Sequence, residues 1–376
     1  MKIKIDKNIY LIKNKDKSMG RKIILTGLIL MLSVTLTGCI SFGKKETAAG
    51  SGVGAVATGD RGDTWVAKYK LMTPGAIEAN IGGVNVTTIE MDPTDTNAIY
   101  MGTRGNGLYY SYNGGDGWDH ADVLSKVAAG QINSISIDAK DKCSVYAAVT
   151  NRVVKTSDCN RTWQQVFNTA KADEAVVDVV VDWFNTSIVY AAAKDGSVYQ
   201  SANAGASWAK LADVEQEIKE LEISSKDSRV LFMTTVAAGL YKSTDGGKSW
   251  LSMNERMESL GGKYRNGYAV AVSKNNPGKV FYLSRLGLLQ SFDNGETWSK
   301  IALLTGENEA TFNALDVSVK DDNLIFLVSG STLYRTVNGG QTWETRKLPS
   351  TAILTDLDVH LANDKLLFVG FSAPQK

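Results

Sequence analysis

One eight-residue pattern recurs seven times along this chain and constrains its fold more than any other feature. It reads Ser/Thr-x-Asp/Asn-x-Gly-x-Thr/Ser-Trp, and its copies end at Trp65, Trp118, Trp163, Trp208, Trp250, Trp298 and Trp343. Successive tryptophans are 53, 45, 45, 42, 48 and 45 residues apart. A period of this length indicates a repeat architecture, whereas chain length alone would suggest two or three unrelated domains.

The residue types in this pattern predict a tight turn whose polar groups bond one another. Asp and Asn side chains accept hydrogen bonds from nearby backbone amides, Gly supplies positive φ, and Ser or Thr hydroxyls close further bonds. Asn160 replaces the glycine in the third copy, and Asn also tolerates a left-handed backbone. We interpret the third residue of each copy as a structural anchor and not as a catalytic acid or calcium ligand. These anchors are Asp60, Asn113, Asp158, Asn203, Asp245, Asp293 and Asn338.

The sequence between the turns repeats as well. Each unit contains an alternating strand, a polar loop, a second apolar strand, a short turn, a third strand and then the strand that begins near the Trp. Four short strands in such a period are typical of a propeller blade. Helical periodicity is confined to 214–223, which overlaps a predicted strand. The predicted fold class is all-β: a single seven-bladed β-propeller of four-stranded blades over residues 54–376.

The two ends of the repeat region are incomplete in complementary ways. Residues 354–371 supply a first and a second strand, whereas the other end opens on a turn with one short strand before it. We predict that residues 54–71 complete the seventh blade, so that N-terminal strands pair with the C-terminal strands and close the ring. The same topology places Cys143, which starts a second strand, beside Cys159 in the turn of its own blade. A disulfide between them is predicted; the alternative is two unpaired thiols.

Residues 1–38 have the organisation of an export signal. A short basic stretch follows Met19, an alternative start, and precedes an apolar run over 23–36. That run is interrupted by small and hydroxylated residues and is shorter than the roughly 20 apolar residues of a spanning helix. We predict a cleaved signal peptide; the alternative is an uncleaved membrane anchor.

The signal ends on a cysteine. Residues Leu36-Thr37-Gly38-Cys39 resemble a bacterial lipobox, and the resemblance implies that Cys39 is lipidated and begins the mature protein. Recurring Gly, Ala and Ser predict that residues 39–53 are this cysteine followed by a flexible tether. The protein is therefore expected to be an exported lipoprotein, anchored to the cell membrane or to an outer membrane and facing the periplasm or the cell exterior.

Charge and residue counts exclude several kinds of site. The chain has a net charge of +1, but its first 38 residues carry +6, so the remainder carries −5. Such a domain has no overall attraction for nucleic acid. Two histidines, His120 and His360, and three cysteines are too few for a His- or Cys-rich metal centre. We expect no metal, no cofactor and a monomer.

The face opposite the repeated turns is the candidate ligand surface. In this topology it carries the hairpins between second and third strands and the connections between blades. Four of the seven hairpin side chains singled out are cationic, which indicates a collar for an anion or a carboxylate; the alternative is ordinary solvated turn residues. The seven are Arg104, Asn106, Asn151, Arg152, Lys194, Asp195 and Arg285.

The long connection over 251–268 is a second candidate. It places Tyr264, Arg265 and Tyr268 after flexible glycines. Loops of this length are commonly functional or disordered, and Tyr and Arg are favoured contact residues. We therefore predict a recognition element here.

The repeats resemble those of the BNR or Asp-box propeller superfamily over essentially residues 54–376. That superfamily includes sialidases, the sortilin ectodomain, xyloglucan-type endoglucanases and a photosystem II assembly factor family. The lipoprotein plan is similar to the last of these, which implies protein binding. Phrases such as GLYKSTDGGKSW look more like the endoglucanases and sortilin.

The enzymatic members of the superfamily have features that this sequence lacks. The Arg-Ile-Pro motif of sialidases does not occur, and the xyloglucan-type enzymes have two propellers where this chain has one. No spacing singles out a pair of catalytic carboxylates. We expect a binding or scaffold role for a protein partner, as in the assembly or stability of a membrane complex. The alternative is a carbohydrate-binding or glycoside-hydrolase-like propeller whose partner is a polysaccharide.

Overall fold

Seven four-stranded antiparallel sheets form the blades of a ring in the computed structural model, which describes residues 53–72, 80–261, 264–306 and 310–374. The first strand of each blade packs against the first strand of the next. The predicted seven-bladed β-propeller is therefore confirmed. Residues 1–52, with the predicted signal peptide, Cys39 and nearly all of the tether, lie outside the described residues.

The strands follow the predicted order along the chain. The first two, β1 (Gly54–Thr58) and β2 (Val66–Ala67), belong to the last blade. Blades 1 to 3 contain β3 (Val86–Met91), β4 (Ile99–Thr103), β5 (Leu108–Ser111), β6 (Asp119–His120), β7 (Ile132–Ile137), β8 (Val145–Val149), β9 (Arg152–Thr156), β10 (Gln164–Asn168), β11 (Val176–Val181), β12 (Val189–Ala193), β13 (Ser197–Ser201) and β14 (Ala209–Asp213). Blades 4 to 6 contain β15 (Ile218–Ile223), β16 (Leu231–Thr235), β17 (Leu240–Ser243), β18 (Leu251–Ser252), β19 (Gly267–Val272), β20 (Val280–Ser284), β21 (Gly287–Ser291), β22 (Ser299–Ile301), β23 (Phe312–Val317), β24 (Ile325–Ser329), β25 (Thr332–Thr336) and β26 (Glu344–Lys347). Blade 7 contains β27 (Ile353–Val359) and β28 (Leu367–Ser372), followed by β1 and β2.

Both ends of the repeat region meet in blade 7. Its strand order is β27, β28, β1, β2, and β1 pairs with β28 from Gly54 opposite Phe371 to Thr58 opposite Leu367. The two outer strands therefore come from the N-terminal side, as predicted. Pairing of this kind leaves no open sheet edge where the ring closes.

The two faces of the ring carry different segments. The turn face carries the seven repeated turns, which join third to fourth strands, and the loops that join first to second strands. The connection face carries the hairpins between second and third strands and the connections between blades. Each first strand runs along the central channel from the connection face to the turn face.

The repeated turns bond as their residue types predict. In blade 4, Ser243 Oγ and the amide of Ser249 each donate to Asp245 Oδ1 at 2.9 Å. The Ser249 hydroxyl donates to Asp245 Oδ2 at 2.6 Å, and these bonds lower the pKa of Asp245 to about 2. The corresponding side chain accepts the equivalent amide bond in the other six turns: Asp60, Asn113, Asp158, Asn203, Asp293 and Asn338. Their oxygens are occupied within their own turns.

The tryptophans of the turns differ in burial. Trp118 is fully buried, and its Nε1 donates to the carbonyl of Lys68 at 3.0 Å. Its burial is complete because a segment around Leu71 adds to the outer edge of blade 1, where Met72 N donates to Trp118 O at 2.9 Å. Of the others, three are buried and three partly buried: Trp163, Trp298 and Trp343, and then Trp65, Trp208 and Trp250.

Blade 2 contains the disulfide predicted from the sequence. It joins Cys143, in the loop between β7 and β8, to Cys159 in the repeated turn. Cys159 has a φ of 56°, so the bond holds a turn that carries non-glycine residues in the left-handed region. The covalent link therefore fixes two neighbouring segments of the turn face.

Helices occur only in the connections of the described chain. They are α1 (Asp122–Val127), α2 (Asn254–Met257) and a 3₁₀ turn (Glu258–Leu260). The ambiguous stretch over 214–223 contributes β15, so strand pairing prevails over its helical pattern. No helix within the described residues is long and apolar enough to cross a membrane.

Candidate functional site

The hairpin cations predicted to form a collar lie on four different blades. Arg104 of blade 1 donates from Nη1 to the carbonyl of Ala373 at 3.1 Å. Lys194 of blade 3 lies 3.4 Å from Glu217 Oε1, and its neighbour Asp195 is exposed. One cation is therefore used to hold the C-terminal end of blade 7, and another is paired with a carboxylate.

The remaining hairpin residues of the predicted collar also lie apart from one another. Arg152 begins β9 and is partly buried, whereas Arg285 of blade 5 is exposed. The carbonyl of the exposed Asn106 lies 2.8 Å from His120 Nε2, and the carbonyl of Asn151 accepts a bond from Thr169. Among the described residues no bond joins two of the predicted collar members. The first strand of each blade lies between the channel and the hairpin that joins the second and third strands.

The described part of the connection over 251–268 packs into a core cluster shared by blades 4 and 5. Tyr264 is 4% exposed and shares a core cluster with Met253 and Met257, and its carbonyl accepts a bond from the Tyr282 hydroxyl at 2.6 Å. The ring of Tyr264 is therefore a core side chain, which corrects the expectation that it lies at a recognition surface. Burial of two methionines and one tyrosine outweighs the freedom that the adjacent glycines allow. Arg265, the next residue, is exposed.

The central channel holds the main concentration of charge. A cavity of about 510 Å³ is lined by residues of all seven first strands. Among its described lining residues, Lys219 is the only cation, and its Nζ lies 5.6 Å from the ring centroid of Tyr268. Seven carboxylates face it: Glu90, Asp178, Glu220, Glu222, Asp316, Asp356 and Asp358. The channel is therefore strongly acidic.

Several of these carboxylates bond to the neighbouring blade. The inner edge of a first strand has amide groups with no partner strand, and buried amides require an acceptor. Asp178 Oδ2 accepts from the amide of Leu221 at 2.7 Å, and Glu220 Oε1 accepts from the amide of Val270 at 2.5 Å. Asp356 Oδ2 accepts from the amide of Ile89, and Asp316 Oδ2 accepts from the amide of Val359, each at 2.6 Å. These side chains join blade to blade around the channel.

Two channel carboxylates are not used in this way. No hydrogen bond to Glu90 is present among the described residues. Glu222 Oε1 lies 3.5 Å from Lys274 Nζ, near the end of the channel on the turn face. Glu90 and Glu222 are therefore the acidic groups most available to a ligand.

Burial and mutual repulsion raise the pKa values of the channel carboxylates. Burial, and then the charge of Asp356, raises the pKa of Glu90 to about 8. Burial raises the pKa of Glu220 to about 8 and that of Asp316 to about 7. The pKa of Asp178 and that of Asp356 rise to about 6 for the same reason. Several of these groups therefore bind protons near neutral pH, and an approaching cation would displace them.

The sequence carries a signal for this site. Several first strands place acidic residues between aliphatic ones: one in VVDVVV over 176–181, and two at alternate positions in IKELEI over 218–223 and in ILTDLDV over 353–359. In an ordinary half-buried strand such residues face solvent. In a first strand of a propeller they face the channel, so the ring topology is needed before the pattern indicates a site.

The described residues contain no group of three or more His, Cys, Asp or Glu side chains arranged to hold a metal ion. The two histidines lie outside the channel. His120 Nδ1 lies 2.5 Å from Asp122 Oδ1, and His360 Nε2 lies 2.9 Å from the carbonyl of Thr96, which links blades 7 and 1. Acid–base chemistry in the channel would therefore rest on carboxylates.

Comparison with known proteins identifies the architecture. A scan against models of protein families and a search of curated proteins find no match. A GH74 xyloglucanase from Xanthomonas campestris is similar with a TM-score of 0.61 at 17% identity, over 77% of this chain and 51% of the enzyme. YCF48 bound to a D1 peptide is similar with a TM-score of 0.58 at 14% identity, over 78% of this chain and 94% of YCF48. This chain shares their seven-bladed propeller fold.

The extent of the match differs between these proteins. YCF48 from Cyanidioschyzon merolae is similar with a TM-score of 0.58 at 14% identity, and 96% of it is covered. The present chain spans about half the length of the GH74 enzymes it matches, including 51% of one from Niastella koreensis. At such identities the likeness concerns the fold, and the site must be argued from its own residues.

Proposed function

We propose that this protein is an exported, lipid-anchored binding propeller whose channel receives a basic segment of a protein partner during the assembly or stabilisation of a membrane complex. The observation that carries the proposal is a cavity of about 510 Å³ lined by seven carboxylates and one lysine. Export and anchoring rest on the sequence pattern that ends at Cys39. The similarity to YCF48 bound to a D1 peptide supports peptide binding by a propeller of this size.

The charge of the channel determines the charge of its ligand. Carboxylates on low-dielectric walls focus a negative potential into the cavity, which attracts cations and repels anions. A Lys or Arg side chain that enters from a partner would relieve the repulsion between groups such as Glu90 and Asp356. The proposal therefore reverses the ligand charge suggested by the hairpin cations.

The test is calorimetric titration of the oxidised domain with an extended peptide of alternating Lys and Ser, and with its Glu–Ser counterpart. The channel variant is Glu90→Gln with Glu222→Gln, because neither side chain bonds to the backbone of the next blade among the described residues. The matched control is Asp173→Asn with Glu215→Gln, which removes two exposed charges outside the channel.

We expect the Lys peptide to bind the native domain and the channel variant to bind it roughly tenfold more weakly, since a charged contact is commonly worth more than about 1.4 kcal/mol. The control variant should bind within about twofold of the native domain. An equal loss of affinity in both variants would mean that the peptide responds to the net charge of the domain and not to the channel. Preference for the Glu peptide would refute the proposal and restore the hairpin collar.

A polysaccharide ligand is the second candidate, and a specific observation favours it. Glu90 and Glu220 have pKa values near 8, the range of a carboxylic acid that can donate a proton at neutral pH. Trp183 and Phe184 are exposed on the turn face, where flat rings could stack on sugars. A panel of soluble glycans, assayed for binding and for new reducing ends, tests this function. Activity lost in Glu90→Gln would establish it in place of the protein-binding proposal.

A further inference from the structure

The chain enters the propeller at a fixed point. Val53 is 6% exposed, and its carbonyl accepts a hydrogen bond from the Tyr69 hydroxyl at 3.3 Å. A Cβ on Gly54, whose φ is 98°, would lie only 2.8 Å from Tyr69 Cε1. Tyr69 and Gly82 therefore enclose the backbone at Val53 and Gly54, so the position of the first described residues is well defined.

This point lies on the connection face. Gly54 pairs with Phe371 at the connection-face end of the two strands, and β1 then runs to the repeated turn on the opposite face. The other end of blade 7 is held beside it, because Ala373 N donates to Asn85 Oδ1 at 2.7 Å. The channel cavity reaches the same face through residues at the start of first strands, among them Thr87 and Lys219.

We propose that the connection face lies toward the membrane and that the channel receives a membrane-proximal basic segment of an integral membrane protein through the mouth on this face. This inference rests on the proposed function, because it requires both the lipid on Cys39 and a cationic ligand. It adds the side from which the ligand enters and the class of protein that presents it.

The length between anchor and domain supports this orientation. Thirteen residues, 40–52, lie between Cys39 and Val53, so the two are fourteen residue steps apart. At about 3.3 Å per residue they span at most about 46 Å, and a chain of Gly- and Ala-rich composition has a root-mean-square length of about 21 Å. A six-residue first strand is itself about 20 Å long, so bringing the turn face to the anchor would require the tether to run the full depth of the ring. A short tether between Cys39 and Val53 thus favours an orientation in which the connection face lies toward the membrane.

Exposed cations and apolar side chains lie on the connection face, among acidic ones such as Asp173 and Glu215. Lys219, Arg265 and Arg285 are exposed there. Leu304 and Val236, both also on this face, are 60% and 42% exposed. Cations and apolar side chains near a bilayer are attracted by anionic headgroups and by the interface, respectively.

The first experiment measures orientation with the mature lipidated protein in vesicles of phosphatidylcholine and phosphatidylglycerol. A fluorescent amino acid replaces either Asn106, on the connection face, or Ala202, on the turn face; both positions are exposed. Energy transfer to a lipid-borne acceptor should be several-fold stronger from position 106. Equal transfer, or stronger transfer from position 202 through insertion of turn-face aromatics, would overturn the inference.

The second experiment tests the partner. Transmembrane peptides in the same vesicles carry a Lys–Ser segment either directly at the membrane or after a long neutral spacer. Binding should be several-fold tighter without the spacer, and equal or tighter binding with it would contradict the inference. Mass spectrometry of the mature protein and titration with the soluble Lys peptide are run first. Failure there counts against the proposed function, whereas success there with the wrong orientation counts against this inference alone.

Discussion

Asp356 of blade 7 accepts a hydrogen bond from the backbone amide of Ile89 in blade 1, with 2.6 Å between Oδ2 and N. The bond joins blade 1 to blade 7, the blade in which β1 and β28 pair and close the ring. Its donor lies on the inner edge of a first strand and has no partner strand. A channel carboxylate therefore contributes to closure as well as to the charge of the cavity.

Replacing Asp356 by Ala should destabilise the domain by about 1–3 kcal/mol, because the amide of Ile89 would lose its acceptor. Asp356→Asn should cost less, since its side-chain oxygen can still accept. Urea unfolding followed by circular dichroism measures both free energies. Asp173→Asn, at an exposed position, is the control and should change stability little. Similar values for Ala and Asn would mean that the bond does not contribute to closure.

The domain should become less stable as pH rises from about 5 to about 8. Glu90 and Glu220 have folded pKa values of about 8, above the ordinary glutamate value of 4.5. The folded state thus binds more protons than the unfolded state between these values. The free energy of unfolding that this extra proton binding contributes is fully present below the unfolded pKa. It is lost as pH rises through the folded pKa.

The pH effect can be assigned with one variant. In Glu90→Gln the difference in unfolding free energy between the two pH values should shrink, because one of the protons is no longer bound. Thermal unfolding across the pH range gives the comparison. A native domain that is more stable at the higher pH would show that the channel carboxylates are not the dominant titrating groups.

Trp118→Ala should destabilise the domain by about 3–5 kcal/mol, the range for a large buried aromatic. Trp250→Ala should have a smaller effect because that ring is only partly buried, although its Nε1 donates to Gly247 O at 3.0 Å. Both tryptophans hold the last position of the repeated turn, so each variant is compared with the other. Equal losses in chemical unfolding would mean that burial does not determine the contribution.

Loss of the disulfide should lower stability by roughly 3 kcal/mol, the value for a closed loop of about 15 residues. The double variant Cys143→Ser with Cys159→Ser removes it without leaving a thiol, and the bonded residues are 16 apart in sequence. Unfolding of the variant is compared with that of the native domain under oxidising and reducing conditions. If reduction destabilises the double variant as well, the effect does not arise from this bond.

The repeated turn made the fold predictable because its information is local. Asp245 and Ser249 lie four residues apart and determine a turn by themselves, and the regular spacing of Trp118 and its counterparts then determines the number of blades. Closure followed from counting strands at the two ends. None of these inferences required contacts between distant segments to be known in advance.

The site was harder to predict because it depends on the assembled ring. Asp178 and Glu220 alternate with aliphatic residues as any half-buried strand would require, and only ring closure turns them inward together. The sequence predicts Tyr264 at the surface, but its ring packs into a core cluster shared by blades 4 and 5. Burial of a loop side chain depends on tertiary packing, which composition does not reveal.

The most direct test of the central claim is proton release when the Lys–Ser peptide binds. Titrations near neutral pH in two buffers of different ionisation enthalpy give the number of protons exchanged. The acidic channel predicts net release on binding, a smaller release in Glu90→Gln with Glu222→Gln, and an affinity that increases with pH. Binding without proton exchange, with the same affinity at every pH, would show that the peptide does not occupy the channel.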